Sequence, residues 1–238
     1  MKPEFKRFND LTPQDINFDF HIHTNQTDGF CSPAEIVNQA ISLQLKAIAF
    51  TEHVNKNSDW FNNFKTKIDL LKKNKNIKIF LGIEAKATDF KGTIDATPEM
   101  IANSDFVIGV VHRYPTNGEK EFLSLKQIEN LGQEKAAEIE FKFSIALLNN
   151  KNIDVLGHPF GIYSIFFSRL PEDYMRRLLI ESLKKKIAVE VNTKYIIERE
   201  LFFKLLREIN PYISIGSDVH YKEELARSFD IIREEIKR

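Results

Sequence analysis

The sequence predicts one α/β domain over residues 1–238, folded as a parallel barrel of the TIM type. Three observations predict it. Seven short apolar runs rich in Ile, Val and Phe read as buried strands. Segments with helical apolar spacing separate these runs, and strands that alternate with helices imply a parallel sheet. Finally, 238 residues over seven units give about 34 residues per repeat, which fits closure into a barrel. An open doubly wound sheet is the competing fold. It usually carries Gly-x-Gly-x-x-Gly after the first strand or a Gly-Lys-Ser/Thr loop, and neither is present.

The strands fall at residues 18–22, 46–51, 77–83, 106–111, 153–156, 187–191 and 212–216. The first helix follows Ser32-Pro33-Ala34-Glu35, which offers an N-cap serine, proline at the first helical position and an early glutamate. Ile36, Ala40 and Leu43 form its apolar stripe. Phe61, Phe64, Ile68 and Leu71 form the second. A long third helix runs over residues 131–148, with Ala137, Phe141, Ile145 and Leu148 on one face. Met175, Leu178, Leu179 and Leu183 mark the next, then Leu201, Leu205 and Ile209. Leu225, Phe229, Ile232 and Ile236 close the chain.

Composition removes several functions. Lys plus Arg total 34 and Asp plus Glu total 34, so the net charge is zero and a long nucleic acid is not the expected partner. One cysteine, Cys31, excludes an internal disulfide and any cysteine-based zinc or iron–sulfur site. It reads as a small buried side chain. No apolar run approaches the roughly 18 residues of a membrane span. The N-terminal segment lacks the apolar core of a secretory signal, so a cytoplasmic setting is expected.

All six histidines fall at C-terminal strand ends. His21 and His23 end the first strand, His53 the second, His112 the fourth and His158 the fifth, while His220 follows the seventh. Glu84 ends the third strand and Glu190-Val191-Asn192 the sixth. In a closed barrel these ends converge on one mouth. Strand alternation puts Asp19, His21 and His23 on one face, and Asp218 and His220 repeat the i, i+2 spacing at the far end of the chain. Burying so many ionisable groups without a cation would be costly. With Asp28, there are nine nitrogen and oxygen donors. They are too many for one tetrahedral zinc and enough for two or three divalent ions, zinc, manganese or iron, with Glu84 as the natural bridge. Clustered ions acidify a shared water and neutralise phosphoryl oxygens, which points to hydrolysis at phosphorus.

Several motifs then stand in order: Asp19-Phe20-His21-Ile22-His23-Thr24, Thr27-Asp28-Gly29, Thr51-Glu52-His53, Gly82-Ile83-Glu84, Gly109-Val110-Val111-His112, Gly157-His158-Pro159 and Ser217-Asp218-Val219-His220. In this series, from about residue 17 to 221, the chain resembles the PHP family of histidinol phosphatases and polymerase-associated domains. The resemblance implies a distorted seven-stranded (β/α)7 barrel. It implies one ion on His21, His23, Glu84 and Asp218, a second on Glu84, His112 and His158, and a third on Asp28, His53 and His220. Two positions depart from the family pattern. Asp28 stands where some relatives have His, and Glu52 where Asp usually precedes the histidine. No ligand position is empty.

The expected activity is hydrolysis of a small phosphomonoester, in the manner of a histidinol phosphatase. A nucleotide phosphodiesterase or nuclease on the same metals is the alternative, and a non-catalytic PHP module a further one. The length leaves no room for a polymerase. Asp218 is the candidate to orient the attacking water or shuttle its proton, with His53 or His220 as proton donor. Asp19 is the candidate partner for the second ring nitrogen of His21. Arg113, Arg169 and Lys194 are the candidate phosphate-binding cations. The loop 159–171 carries Phe160, Tyr163, Phe166 and Phe167, which pack as core or wall the site. Trp60 borders the same mouth or packs as core.

Overall fold

The structure is a computed structural model and describes residues 2–115 and 122–238. Its strands are β1 (Phe18–Ile22), β2 (Ala47–Phe50), β3 (His53–Val54), β4 (Lys78–Lys86), β5 (Phe106–Val110), β6 (Val155–Leu156), β7 (Ala188–Val191) and β8 (Ile213–Ile215). They pair in parallel in the order β1-β2-β4-β5-β6-β7-β8. The short β3 resumes the path of β2 after a break and pairs His53 with Glu84 on β4. This makes a nearly closed seven-position barrel. Closure is completed beyond β8, where Val219 bridges Ile22 in parallel. The His23 N–H donates to the Val219 carbonyl at 2.9 Å and the Val219 N–H to the His21 carbonyl at 3.2 Å.

The helices are α1 (Pro33–Ser42), α2 (Phe61–Leu71), α3 (Pro98–Asn103), α4 (Leu125–Asn130), α5 (Gln133–Leu148), α6 (Tyr163–Phe166), α7 (Glu172–Lys185), α8 (Arg199–Ile209) and α9 (Phe229–Glu235). Ser32 caps α1 as its sequence requires: its hydroxyl accepts from the Glu35 N–H, and Glu35 returns to the Ser32 N–H. The long helix read over 131–148 is α5, which starts directly after Gly132 at φ +77°; the short α4 before it has no counterpart in the sequence reading. Among the described residues no helix is long and apolar enough to cross a membrane.

Two apolar layers set the height of the site. The larger packs the helices against the outside of the barrel. The smaller fills the barrel's lower interior with Phe20, Ala49, Phe80, Phe106, Ile108, Val110, Val155 and Ala188. Strand alternation then dictates what lies above this plug. Two steps past Ala188 stands Glu190, four past Phe80 stands Glu84, and two past Val110 stands His112. On β1 the register shifts between Asp19 and Ile22. This bulge lets Phe20 join the plug while His21 and His23 still turn into the mouth. It also separates Asp19 from the face of His21, contrary to the alternation read from sequence.

The loop after His158 contributes mainly to packing. Phe160 and Tyr163 are fully buried, and Phe166 and Phe167 are half-buried against the core. Trp60 lies edge-on to Phe64, 5.9 Å away. Cys31 is half-buried.

Candidate metal centre

All nine predicted donors converge on the mouth of the barrel, with Glu84 at their centre. Glu84 Oε1 lies 3.2 Å from His21 Nε2, 3.2 Å from His112 Nε2 and 3.1 Å from His158 Nε2. Its Oε2 lies 3.6 Å from His23 Nε2 and in close contact with His53 Nδ1. Asp218 Oδ1 faces His23 Nε2 at 3.3 Å and His220 Nδ1 at 3.6 Å. Asp28 closes the solvent side, with Oδ2 at 3.2 Å from His53 Nε2 and 3.4 Å from His220 Nε2. His21 and His23 are fully buried, whereas Asp28 is half exposed.

Among the described residues, four donor groups are compact enough to hold an ion: His21, His23 and Asp218; His21, Glu84 and His158; His53, Glu84 and His112; and His23, His53 and His220. They overlap the three subsites that the family resemblance implies, with Glu84 shared. Two features fit a cation cluster. His23 Nδ1 is buried without a hydrogen-bond partner, a costly state for a polar atom. The Nε2 atoms of His21 and His23 also point at each other across 3.1 Å, which suits lone pairs aimed at a shared charge. Every donor is nitrogen or oxygen, the set that zinc, manganese and iron accept.

The electrostatics agree. Burial raises the pKa of Glu84, yet His112, His53 and His21 overcome this and hold it well below the ordinary carboxylate range. Asp218 is likewise held down by His23 and His21 against burial, and Asp28 by His220 and His53. Burial lowers His53, but Glu84 and Asp28 raise it to about 10. His23 falls to about 4 through burial and the neighbouring histidines. These shifts favour ionised carboxylates facing protonated His21, His53, His158 and His220, so a cation held by the same atoms would displace protons.

The supporting contacts differ from the sequence reading at one point. Asp19 does not hold the second nitrogen of His21. Its Oδ1 accepts from the Ser217 N–H at 2.9 Å and its Oδ2 from the Ala226 N–H at 3.0 Å, so it latches the loop after β8. His21 Nδ1 instead bonds Glu190 Oε1 at 2.8 Å. This fixes the tautomer and leaves Nε2 free for an ion. Glu190 Oε2 also accepts from the His158 N–H at 2.7 Å. Glu52 anchors the loop of Asp28: Oε1 accepts from the Thr24 N–H at 2.9 Å, and Oε2 contacts the Thr27 hydroxyl.

Of the three predicted cations, Lys194 reaches the centre, with Nζ 2.7 Å from Asp218 Oδ2. Arg113 is exposed and its guanidinium lies over Phe122, 5.3 Å from the ring centroid. Arg169 lines a separate 540 Å³ groove with Tyr163, Glu172 and Glu198. Sequence reasoning missed Tyr195, whose hydroxyl donates to Asp218 Oδ2 at 2.6 Å. Its only signal was its place just past the β7 strand end.

A parallel barrel with a carboxylate-bridged histidine cluster at its C-terminal mouth defines a metal-binding α/β barrel. The PHP domain family model matches residues 19–194, and the chain belongs to that family. A probable phosphatase of Caldicellulosiruptor bescii is 25% identical over 227 aligned positions, covering 89% of this chain and 83% of the relative. A probable histidinol-phosphatase of Clostridium acetobutylicum is 25% identical over 233 positions, covering 89% of both chains. Among solved structures, the putative histidinol phosphatase of Listeria monocytogenes superposes with a TM-score of 0.71 at 17% identity, over 90% of this chain and 99% of that one. A histidinol phosphate phosphatase of Lactococcus lactis, complexed with zinc, L-histidinol and phosphate, gives 0.70 at 22% identity, over 93% of this chain and 92% of that one. At those identities the two structures speak to the fold.

Proposed function

We propose that this chain is a metal-dependent phosphoesterase that hydrolyses a small phosphomonoester, with histidinol phosphate the first substrate to test. The carrying observation is Glu84: one buried carboxylate with three imidazole nitrogens around one oxygen and two around the other. That arrangement supports two or three divalent ions, zinc, manganese or iron, held by His21, His23, Asp28, His53, Glu84, His112, His158, Asp218 and His220. Such ions, when bound, activate water and neutralise phosphoryl oxygens.

The chain's own groups divide the remaining work. Asp218 offers Oδ1 to the mouth while Lys194 and Tyr195 grip Oδ2. Its role is to orient the attacking water. His53 and His220, the partly exposed pair facing Asp28, stand where a proton can pass to the leaving alkoxide. Lys194, nearest the centre though paired with Asp218, is the first candidate to meet a phosphate oxygen. Arg113 would need to leave Phe122 to do so, and Arg169 lies in a separate groove.

The test is a panel of an aryl phosphate, a bis-aryl phosphate diester, histidinol phosphate and AMP, assayed on metal-loaded protein. Monoester turnover is expected, and His21→Ala should lower it about a thousandfold, equivalent to roughly 4 kcal/mol of lost charge stabilisation. Turnover of the diester alone would replace this reading with a phosphodiesterase. No turnover with ions fully bound would leave a non-catalytic module.

A further inference from the structure

We propose that Glu140 is a positioning residue for the His112–His158 half of the metal centre: its carboxylate ties together the two segments that deliver these ligands. The inference rests on the reading that the cluster binds cations. Glu140 lies on α5 and is 1% exposed among Ala136, Ala137, Phe141 and Phe143. A carboxylate there is costly unless it is hydrogen-bonded. Its Oε2 accepts from the Tyr114 hydroxyl at 2.5 Å and from the Tyr163 N–H at 2.9 Å. Tyr114 is fully buried two residues beyond His112, and Tyr163 is fully buried five residues beyond His158. A single oxygen atom therefore joins the exits of β5 and β6.

Those exits need fixing. His158 has φ +20° and Phe160 φ +61°, conformations that persist only where the surroundings impose them. The segment is held on one side by Glu190, through the His158 N–H, and on the other by Glu140, through the Tyr163 N–H. Tyr163 extends the tie by donating its hydroxyl to the Arg169 carbonyl at 2.8 Å. The result is visible in the rings. His112 and His158 stack 5.3 Å apart at 8°, with both Nε2 atoms on Glu84 Oε1. The donor groups His21–His23–Asp218 and His23–His53–His220 use neither segment. His112 and His158 meet at Glu84 Oε1, so loosening the Glu140 tie should weaken the ion this pair would share and spare the others.

The experiment compares the full-length protein with Tyr114→Phe and Glu140→Gln. Each is stripped with a chelator, melted, and titrated with zinc against a competing indicator, and bound zinc is counted by mass spectrometry. Tyr114→Phe removes one hydroxyl and keeps the ring in place, so it reports even if Glu140→Gln fails to fold. The expected result is one zinc equivalent weakened about ten- to a hundredfold, with the others at wild-type affinity. All equivalents unchanged, or all weakened by one common factor, would overturn the proposal. A wild-type chain that takes up no divalent ion would overturn the metal reading, and the proposal with it, and is distinguishable because it appears before any variant is compared.

Discussion

At the scale of single residues, the buried carboxylates carry the clearest consequences. Glu190 holds His21 Nδ1 and the His158 N–H at once. Glu190→Ala should free both and lower zinc affinity about ten- to a hundredfold with the fold intact, as competition titration and circular dichroism would read. Unchanged affinity would show that His21 needs no such orientation. Glu140 carries a pH dependence. Burial raises its pKa from the usual 4.5 to about 7, against the hydrogen bonds from Tyr114 and Tyr163 and the charge of His158. Between those two values the folded chain keeps a proton that the unfolded chain has released. The stabilisation is thus full below pH 4.5 and is lost as pH rises through 7. Glu140→Gln does not titrate, so its stability relative to wild type should climb by about 3 kcal/mol from pH 4.5 to 8. Urea melts at several pH values would show this, and a pH-independent difference would refute it. The histidines were legible in the sequence because strand ends share one mouth. The task of Glu190 was not, because the β1 bulge that turns Asp19 away has no signature in the residues themselves.

At the scale of elements, the loop after β8 is a tight joint. Gly216 sits between two site residues: a Cβ there would lie 2.2 Å from Glu190 Oε1 and 2.6 Å from His21 Cβ. Gly216→Ala must push the Glu190–His21 pair apart. It should cost about 1–3 kcal/mol of stability and weaken zinc binding, read by thermal melts with and without zinc. A variant equal to wild type in both would mean that the loop yields freely. Strands read well from sequence because apolar runs of β-branched and aromatic residues were flanked by turns: β1 matches its predicted span. The start of α5 was legible to within two residues, where Gly132 with positive φ separates it from α4. β3 was not read as a strand, since two residues carry no period of their own. The short α3, α4 and α6 were missed for the same reason.

At the scale of the whole molecule, the metal centre and the closure of the barrel are one structure. The seven-position architecture and the C-terminal mouth were legible from repeat length and histidine placement. The seam was not, since it depends on contacts between residues almost two hundred positions apart. β1 and β8 share no extended ladder. They are joined by the Ile22–Val219 bridge and by Asp19 gripping the Ser217 and Ala226 N–H groups. His21 and His23 lie on one side of this seam, and Asp218, at φ +50°, and His220 on the other. A cation held by His21, His23 and Asp218 would therefore clamp the seam. At zinc a hundredfold above its dissociation constant, the folded state should gain about 2.7 kcal/mol per site. That corresponds to a rise of roughly 5–10 °C in melting temperature for a chain of this size. Hydrogen exchange locates the effect. On chelation, the His23, Ser217 and Val219 amides should exchange faster, while those of the Phe20–Phe80–Phe106 plug at the barrel base stay protected. Uniform loss of protection would mean that the ions stabilise the barrel globally instead of closing its seam. Unaltered exchange would mean that the seam is held by Asp19 and the backbone alone.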